Sequence, residues 1–148
     1  MGVTADPALS KGAKVTGIIT EQLDAIEVGH KGLTNLEIVS SMHKRKARMA
    51  ELSDAIISLP GGVGTWEELF EALAWNQLGF YSKPIILFNV GGYYSSLYQF
   101  SKDSVEEGFL PKSTFEELFI SEDLEEIFDF ISSFEKKDGK DWYKRLER

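Results

Sequence analysis

The sequence contains no cysteine, which excludes disulfides, thiolate catalysis and zinc sites built on thiolates. A chain without cysteine suits a reducing compartment, so we expect a cytoplasmic protein. The sequence also lacks an apolar run long enough to span a membrane, and no secretory signal is visible at Met1. We therefore expect no membrane partner.

Positive charge is also scarce, because 16 Lys and Arg stand against 24 Asp and Glu, for a formal net charge of −8. Such a surface repels nucleic acid polymers, and a small anionic substrate would need a local basic pocket. Histidine is rare as well: His30 and His43 stand alone, without the ligand spacing of a metal site. The sequence predicts neither a metal nor another cofactor.

What the sequence does contain is an alternation of short apolar strands and amphipathic helices, which predicts an α/β fold with a parallel sheet. A chain of 148 residues is long enough for one domain with a core. We expect that domain over residues 1–134, followed by a charged tail over 135–148, which Trp142 could dock. The predicted strands cover residues 13–20, 36–39, 54–59, 84–89 and 119–120.

The helices are predicted from caps, glycines and apolar periodicity. Ser40 or Ser41 caps a helix through Leu52, with Met42, Met49 and Leu52 on its apolar side. Tyr93 and Tyr94, after a Gly-Gly pair, are expected in the core or an interface. The other predicted helices cover residues 65–78, 95–107 and 123–134, with a capping box at 113–116.

The most informative stretch is residues 54–68, where an apolar strand runs through a proline into three glycines. Gly61, Gly62 and Gly64 let the backbone approach a ligand without a Cβ in the way. Thr65 is predicted to begin a helix. A strand, a glycine turn and a helix N-terminus in this order form an anion site, so the expected ligand is a phosphate.

The spacing of these glycines matches neither of the two common phosphate fingerprints. A Walker loop needs a Gly-Lys-Ser/Thr ending, which is absent. The dinucleotide fingerprint needs a different glycine spacing and a later acidic residue. From the residues alone, a plain turn that touches no phosphate stays open as the alternative.

A basic cluster, residues 44–48, falls in the first turns of the preceding predicted helix. Cations there oppose the helix dipole, and an anion bound nearby would remove that conflict. The alternative is a solvated surface helped by Glu37 and Glu51, which we favour for Lys44 and Arg48 but not for Arg45.

Glu68 has two interpretations that exclude each other only in part. In the first, Thr65 is the N-cap and Glu68 occupies the third helical position of a capping box, which would explain the carboxylate by helix stability alone. In the second, Glu68 faces a ligand whose phosphate lies on the N–H groups of residues 61–65, where it could hold ribose hydroxyls or steer a water.

Two motifs together resemble the signatures of the LONELY GUY (LOG) family, the cytokinin riboside 5′-monophosphate phosphoribohydrolases. Met-His-x-Arg-Lys stands at residues 42–46, and Pro-Gly-Gly-x-Gly-Thr-x-x-Glu stands at residues 60–68, both without a substitution. Residues 75–79, 83–84, 89–94 and 105–109 are also similar to that family. The resemblance runs from Met1 to about Phe109, and more loosely to Phe134.

The resemblance implies a Rossmann-like fold, a homodimer and hydrolysis of the N-glycosidic bond of a nucleoside 5′-monophosphate, giving free base and ribose 5-phosphate. It implies Arg45 and Glu68 as the catalytic pair. The substrate and phosphate contacts that it implies are Gly2, Met42, Lys46, Gly61, Gly62, Gly64 and Thr65.

The chain departs from the family pattern at its start. The family normally begins with a strand, a helix and a second strand ending in Gly-Gly-Gly-x-x-Gly-Leu-Met-Gly, and Met1-Gly2 matches only the end of that motif. We therefore expect an N-terminally shortened form that lacks this strand–helix–strand segment.

Other functions remain open at this point. The chain could be a non-catalytic nucleotide or cofactor carrier on the same fold, or a shortened form without activity. The retention of Arg45 and Glu68 favours the enzyme. A lysine decarboxylase, a label such sequences often carry, finds no support, since no lysine is marked for pyridoxal phosphate. The residues do not choose between AMP and a cytokinin riboside monophosphate.

Overall fold

A computed structural model describes residues 2–26 and 29–135. The chain divides into two compact units between Ser53 and Asp54. Each unit is built from parallel strands and helices, the mixed α/β arrangement of Rossmann-like folds. The predicted α/β class is therefore confirmed. The tail over 136–148, with Trp142, lies outside the described residues.

The first unit pairs two strands in parallel, with Thr16 opposite Asn35 and Thr20 opposite Val39. A parallel pair needs a crossover between its strands, and the connection here includes a short helix. The elements in chain order are α1 (Gly2–Ser10), β1 (Thr16–Thr20), α2 (Glu21–Asp24), β2 (Asn35–Val39) and α3 (Met42–Leu52). Neither α1 nor α2 was predicted.

Helix α3 begins where the sequence predicted, because the Ser41 hydroxyl accepts a hydrogen bond from the Lys44 N–H at 3.3 Å. Its predicted apolar side is wrong. Met42 and Leu52 are exposed, and the buried residues of α3 are Lys46 and Ala50. The long aliphatic stem of lysine allows it to occupy an apolar position.

The second unit contains a three-stranded parallel sheet in the order β3-β4-β5. The central strand, β4, is the core: Ile85, Ile86 and Leu87 are fully buried. Leu69, Tyr94 and other side chains pack on it. The elements are β3 (Ile56–Ser58), α4 (Val63–Gln77), β4 (Ile85–Phe88), a 3₁₀ turn (Val90–Gly92), α5 (Ser95–Glu106), α6 (Lys112–Phe115), β5 (Leu118–Ser121) and α7 (Leu124–Ser133).

Glycines end two of these helices, as predicted. Gly79 has φ +75° and Gly108 has φ +81°, a conformation that other L residues adopt only with strain. After α4, the Gly79 N–H donates to Asn76 and the Phe80 N–H donates to Trp75, which closes the helix end. The same pair of hydrogen bonds follows α5.

The capping box predicted at residues 113–116 is wrong. The short helix α6 starts at Lys112 with Pro111 as its N-cap, and no side chain completes a capping hydrogen bond there. Proline restricts φ to about −65°, close to the −59° observed at Pro111, so the N-cap lies two residues earlier than the predicted Ser113. The next cap is predicted correctly, because Asp123 accepts hydrogen bonds from the N–H groups of Glu125 and Glu126.

Candidate functional site

The glycine turn, residues 61–65, follows strand β3 and includes the first three residues of helix α4. Gly62 is the N-cap of α4, with φ −93° and ψ −155°, and Val63 is the first helical residue. The N–H groups of residues 62–65 therefore have no acceptor within the helix, and glycine has no side chain to cap them. The positive end of the helix dipole lies at the same place. This end of α4 can bind an anion.

The capping box predicted for Thr65 and Glu68 does not form. Thr65 is the third residue of α4 and Glu68 is the sixth, because the chain enters the helix at Val63. With Gly62 as the N-cap, the helix starts three residues earlier than a threonine cap at residue 65 would set it. Helix capping therefore does not explain the carboxylate of Glu68, which is half-buried in the second turn.

The three glycines of the turn differ in whether the fold itself requires glycine at their positions. A Cβ on Gly61 would overlap the Thr65 hydroxyl oxygen and lie 3.0 Å from Thr65 Cβ, so the fold itself requires glycine there. A Cβ on Gly62 or Gly64 would meet no atom within 4 Å, and neither glycine has a positive φ. Nothing in the described part of the chain demands glycine at 62 and 64. The space beside them is open to a ligand.

Two tyrosines from the segment after β4 hold the glycine turn. Tyr94, only 1% exposed, donates its phenol hydrogen bond to the Leu59 carbonyl at 2.6 Å. Tyr93, 47% exposed, donates to the Gly61 carbonyl at 2.5 Å. Burial, and next the neighbouring Tyr93, raise the pKa of Tyr94 above its ordinary value.

The core position of Tyr94 was predicted, but the hold of both tyrosines on the turn was not. The signal available in the sequence was the order of the elements. Tyr93 and Tyr94 follow a predicted strand at the same end as the glycine turn, and parallel strands place such segments at one edge.

Arg45 lies in the first unit, on helix α3. Its Nε donates to the Ile18 carbonyl of β1 at 3.1 Å, and one terminal nitrogen contacts the sulfur of Met42 at 3.3 Å. The side chain is half-buried. The three-residue spacing of Met42 and Arg45 places them on one face of α3, so the motif has a local structural basis. Lys46, next in the motif, is buried.

Arg48 belongs to the surface, as predicted. Its guanidinium contacts Glu37 at 2.7 Å and Glu51 at 2.8 Å. The hydrogen bond from Arg48 is the main cause that lowers the pKa of Glu37 below its ordinary value. The same pairing, first with Glu37 and then with Glu51, raises the pKa of Arg48. Two carboxylates thus neutralise this part of the basic cluster.

The residues proposed from the sequence divide between the two units. The first unit holds Gly2 at the start of α1, together with Met42, Arg45 and Lys46 on α3. The second unit brings together the glycine turn and Glu68 on consecutive turns of α4.

A separate cleft of about 660 Å³ lies beyond the ends of β4 and β5. It is acidic, because Glu122, Asp123 and Glu126 line it, so it disfavours a phosphate. Two of these carboxylates already serve the fold: Glu126 accepts from Ser121 at 2.6 Å, and Asp123 caps α7.

Within residues 2–26 and 29–135, no group of three His, Cys, Asp or Glu side chains could hold a metal ion. Over the same residues, no helix combines the length and the apolar composition that crossing a membrane requires.

Comparison with known proteins gives one family and several relatives. The model of a family described as "Possible lysine decarboxylase" matches residues 1–131. A cytokinin riboside 5′-monophosphate phosphoribohydrolase of Rhodococcoides fascians is 47% identical over 126 residues, 84% of this chain and 64% of the relative. A probable enzyme of the same name from rice, Oryza sativa subsp. japonica, is 39% identical over 95% of this chain and 57% of its own.

A third relative carries the same name and comes from Arabidopsis thaliana. It is 46% identical over 110 residues, which are 74% of this chain and 52% of the relative. The chain thus spans between about half and just under two thirds of the length of these relatives.

Replacing Arg48 with Met should raise the pKa of Glu37 toward its ordinary value of 4.5, because the hydrogen bond that lowers it is lost. A carboxylate with a lowered pKa stabilises the folded chain above its ordinary pKa, and this stabilisation disappears as the pH falls through the folded-state pKa. The variant should lose that pH dependence at acid pH. NMR titration of the Glu37 side chain measures the shift.

The matched control is Lys44→Met, which removes an exposed cation from the same cluster and should leave the Glu37 titration unchanged. Identical Glu37 titrations in the wild-type and Arg48→Met chains would contradict the assignment of Arg48 to this pair.

Proposed function

We propose a function from one premise: the chain belongs to the LOG family, whose model is described as possible lysine decarboxylase. The proposed reaction is hydrolysis of the N-glycosidic bond of a nucleoside 5′-monophosphate to free base and ribose 5-phosphate. The observation that carries the proposal is the name that these relatives share, cytokinin riboside 5′-monophosphate phosphoribohydrolase, at 39 to 47% identity. The substrate is AMP or a cytokinin riboside monophosphate, and the reaction belongs to cytokinin biosynthesis.

The glycine turn is the proposed phosphate site. The start of α4 supports this proposal, because the N–H groups of residues 62–65 have no acceptor within the helix. The space beside Gly62 and Gly64 is open. Gly61 and Thr65 pack on each other and shape the turn. The motif match adds Met42, Lys46 and Gly2 as further substrate contacts.

Arg45 and Glu68 are the proposed catalytic residues. In the reaction, a water oxygen forms a bond to the ribose C1′ while the bond from C1′ to the base nitrogen breaks, and the base leaves with a proton. Positive charge develops on the ribose ring, as in glycoside hydrolysis. The Glu68 carboxylate stabilises this charge. Arg45 either holds the substrate or assists the leaving base.

The start of α4 at Val63 supports a catalytic role for Glu68, because helix capping no longer accounts for its carboxylate. The alternative, a carrier that binds a nucleotide without hydrolysing it, needs the glycine turn but has no use for this pair. The family description names a decarboxylase, yet the relatives reported above carry the name of a phosphoribohydrolase.

We propose that the chain acts as a homodimer, as the family resemblance implies, and that it works in the cytoplasm. Support for self-association comes from helix α4, on which Val63, Trp66 and Phe70 are 73%, 42% and 46% exposed. Their spacing of three and four residues places them along one side of the helix.

The single nucleotide-binding domain over residues 1–134 stays a prediction.

Replacing Glu68 with Gln should reduce hydrolysis at least about 100-fold, because glutamine cannot supply the negative charge that the developing cation needs. The measurement is release of free base from AMP and from N6-isopentenyl-AMP by the purified chain. Glu67→Gln, a change of the same chemistry at the exposed neighbouring position, is the matched control and should keep wild-type turnover.

Near wild-type turnover in Glu68→Gln would remove Glu68 from the mechanism, and no base release by the wild-type chain would overturn the proposed reaction. Arg45→Ala should also abolish turnover. It is a less direct test, because it removes the hydrogen bond to Ile18 as well.

Gly62→Ala should weaken binding of ribose 5-phosphate strongly while changing thermal stability little. The added Cβ meets no protein atom within 4 Å, so it occupies only the space proposed for the phosphate. Gly61→Ala provides the contrast. It should lower the free energy of unfolding by about 1–3 kcal/mol, since its Cβ collides with Thr65.

Calorimetric titration with ribose 5-phosphate and thermal unfolding give the two readouts. Gly62→Ala with unchanged affinity and unchanged stability would show that the phosphate lies elsewhere.

Light scattering should give at least twice the chain mass at tens of micromolar protein, that of a homodimer or a higher oligomer, because apolar side chains left exposed on α4 favour association. Phe70→Lys should shift the chain toward the monomer, whereas Phe109→Lys, at an 86% exposed apolar position outside α4, should not. A monomeric mass for the wild-type chain would refute the dimer.

A further inference from the structure

The phenol of Tyr93, a half-exposed tyrosine, donates a hydrogen bond to a backbone carbonyl inside the glycine turn. The donor–acceptor distance to the Gly61 oxygen is 2.5 Å, although the two residues are 32 positions apart in sequence. Tyr93 lies on the segment after the central strand, and Gly61 lies on the segment after its neighbour in the sheet.

This hydrogen bond also affects the next residue, through the peptide bond between Gly61 and Gly62. The described chain contains no cis peptide bonds, so this peptide is trans. In a planar trans peptide, the carbonyl and the following N–H point in opposite directions. A hydrogen bond that fixes the Gly61 carbonyl toward Tyr93 therefore fixes the Gly62 N–H on the opposite side. That N–H is the donor at the N-cap of α4.

The neighbouring tyrosine lacks this effect. Tyr94 donates to the Leu59 carbonyl at 2.6 Å, but the next residue is Pro60, which has no N–H to orient. Tyr94 therefore anchors the start of the loop to the core, whereas Tyr93 determines the direction of a hydrogen-bond donor. The two phenols thus contact the same loop, but only that of Tyr93 orients a following N–H group.

Tyr93 is itself held in place before any ligand arrives. Its ring meets the ring of Tyr94 edge to face, with centroids 4.9 Å apart and planes at 87°. The Tyr94 N–H donates to the Asn89 side chain at 2.8 Å, which fixes the backbone beside Tyr93. Gly92, with φ +77°, makes the sharp turn that precedes the pair. The phenol thus pre-organises the turn from a rigid support.

We propose that Tyr93 is a positioning residue for the phosphate. By holding the Gly61 carbonyl, it aims the Gly62 N–H at the bound anion. This inference rests on the phosphate site of the proposed function, and it does not depend on the hydrolysis step.

The test compares Tyr93→Phe with Tyr94→Phe in the full chain. The probe is ribose 5-phosphate, titrated by isothermal calorimetry, and ribose without the phosphate is the control ligand. Tyr93→Phe should raise the dissociation constant for ribose 5-phosphate roughly three- to tenfold, the range expected when one orienting hydrogen bond is lost. Tyr94→Phe should lower the thermal midpoint more and change the dissociation constant less than about twofold.

The outcomes separate the two proposals. Unchanged affinity in Tyr93→Phe would overturn the positioning role, as would an equal loss of affinity in Tyr94→Phe, which would indicate general loosening of the loop. A wild-type chain that binds ribose 5-phosphate but releases no base from AMP or from N6-isopentenyl-AMP overturns the proposed hydrolysis and leaves Tyr93 to be judged by the binding data. A wild-type chain that does not bind ribose 5-phosphate overturns the proposed phosphate site and, with it, the positioning role of Tyr93.

In a chain that hydrolyses AMP, a second readout distinguishes positioning from chemistry. Tyr93→Phe should raise KM by the same factor as the dissociation constant and leave kcat within about twofold, because the phosphate lies away from the bond that breaks. A fall in kcat with unchanged KM would contradict the inference.

Discussion

The burial of strand β4 is the constraint on which the second unit depends. Ile85, Ile86 and Leu87 are completely enclosed, with parallel partners on both sides. Parallel strands cannot be joined by tight hairpins, so each connection crosses over the sheet and each strand ends at the same edge. The glycine turn and the two tyrosines follow adjacent strands. Their hydrogen bonds are therefore a consequence of the topology and of a register that places Ile57 opposite Ile86.

Much of this fold could be predicted from the sequence, because its signals are local. Ser41 and Asp123 are capping side chains, and Gly79 and Gly108 are helix ends with positive φ. The N-cap of α4 could not be predicted in this way. An N-cap is most readily predicted from a side-chain oxygen that can accept a hydrogen bond, and Gly62 has no side chain. Thr65, three residues later, was therefore predicted as the N-cap.

Helix α1 was also missed, because its sequence offers few of the side chains from which helices are predicted. It has no acidic residue in its first turn and no basic residue in its last turn, and it contains Pro7. The charge signals are therefore absent and a proline stands inside the helix, although Gly12, with φ +81°, closes the end of α1 with the same pair of hydrogen bonds as Gly79 and Gly108.

The basic cluster shows what the sequence leaves undetermined about a site. Arg45 and Arg48 are one turn apart on the same helix; the sequence indicated Glu37 and Glu51 beside Arg48, but no pattern in it indicates the partner of Arg45. The fold gives Arg48 two carboxylates and gives Arg45 a backbone carbonyl of β1. The two carboxylates balance the charge of Arg48, and a charge balanced in this way contributes little field beyond its partners. Arg48 is therefore ill suited to hold an anionic substrate.

The N-terminus of helix α4 has no side-chain cap, since Gly62 provides no acceptor for the N–H donors of the first turn. Relative to glycine at the N-cap, a capping side chain stabilises a helix by only a few tenths of a kcal/mol, so the open N-terminus costs this helix little. An anion held there would take the part of the missing side chain, so ligand affinity and the order of the first helical turn would be coupled quantities. In such an arrangement the ligand completes the secondary structure, and hydrogen exchange at the first turn of α4 would report occupancy directly.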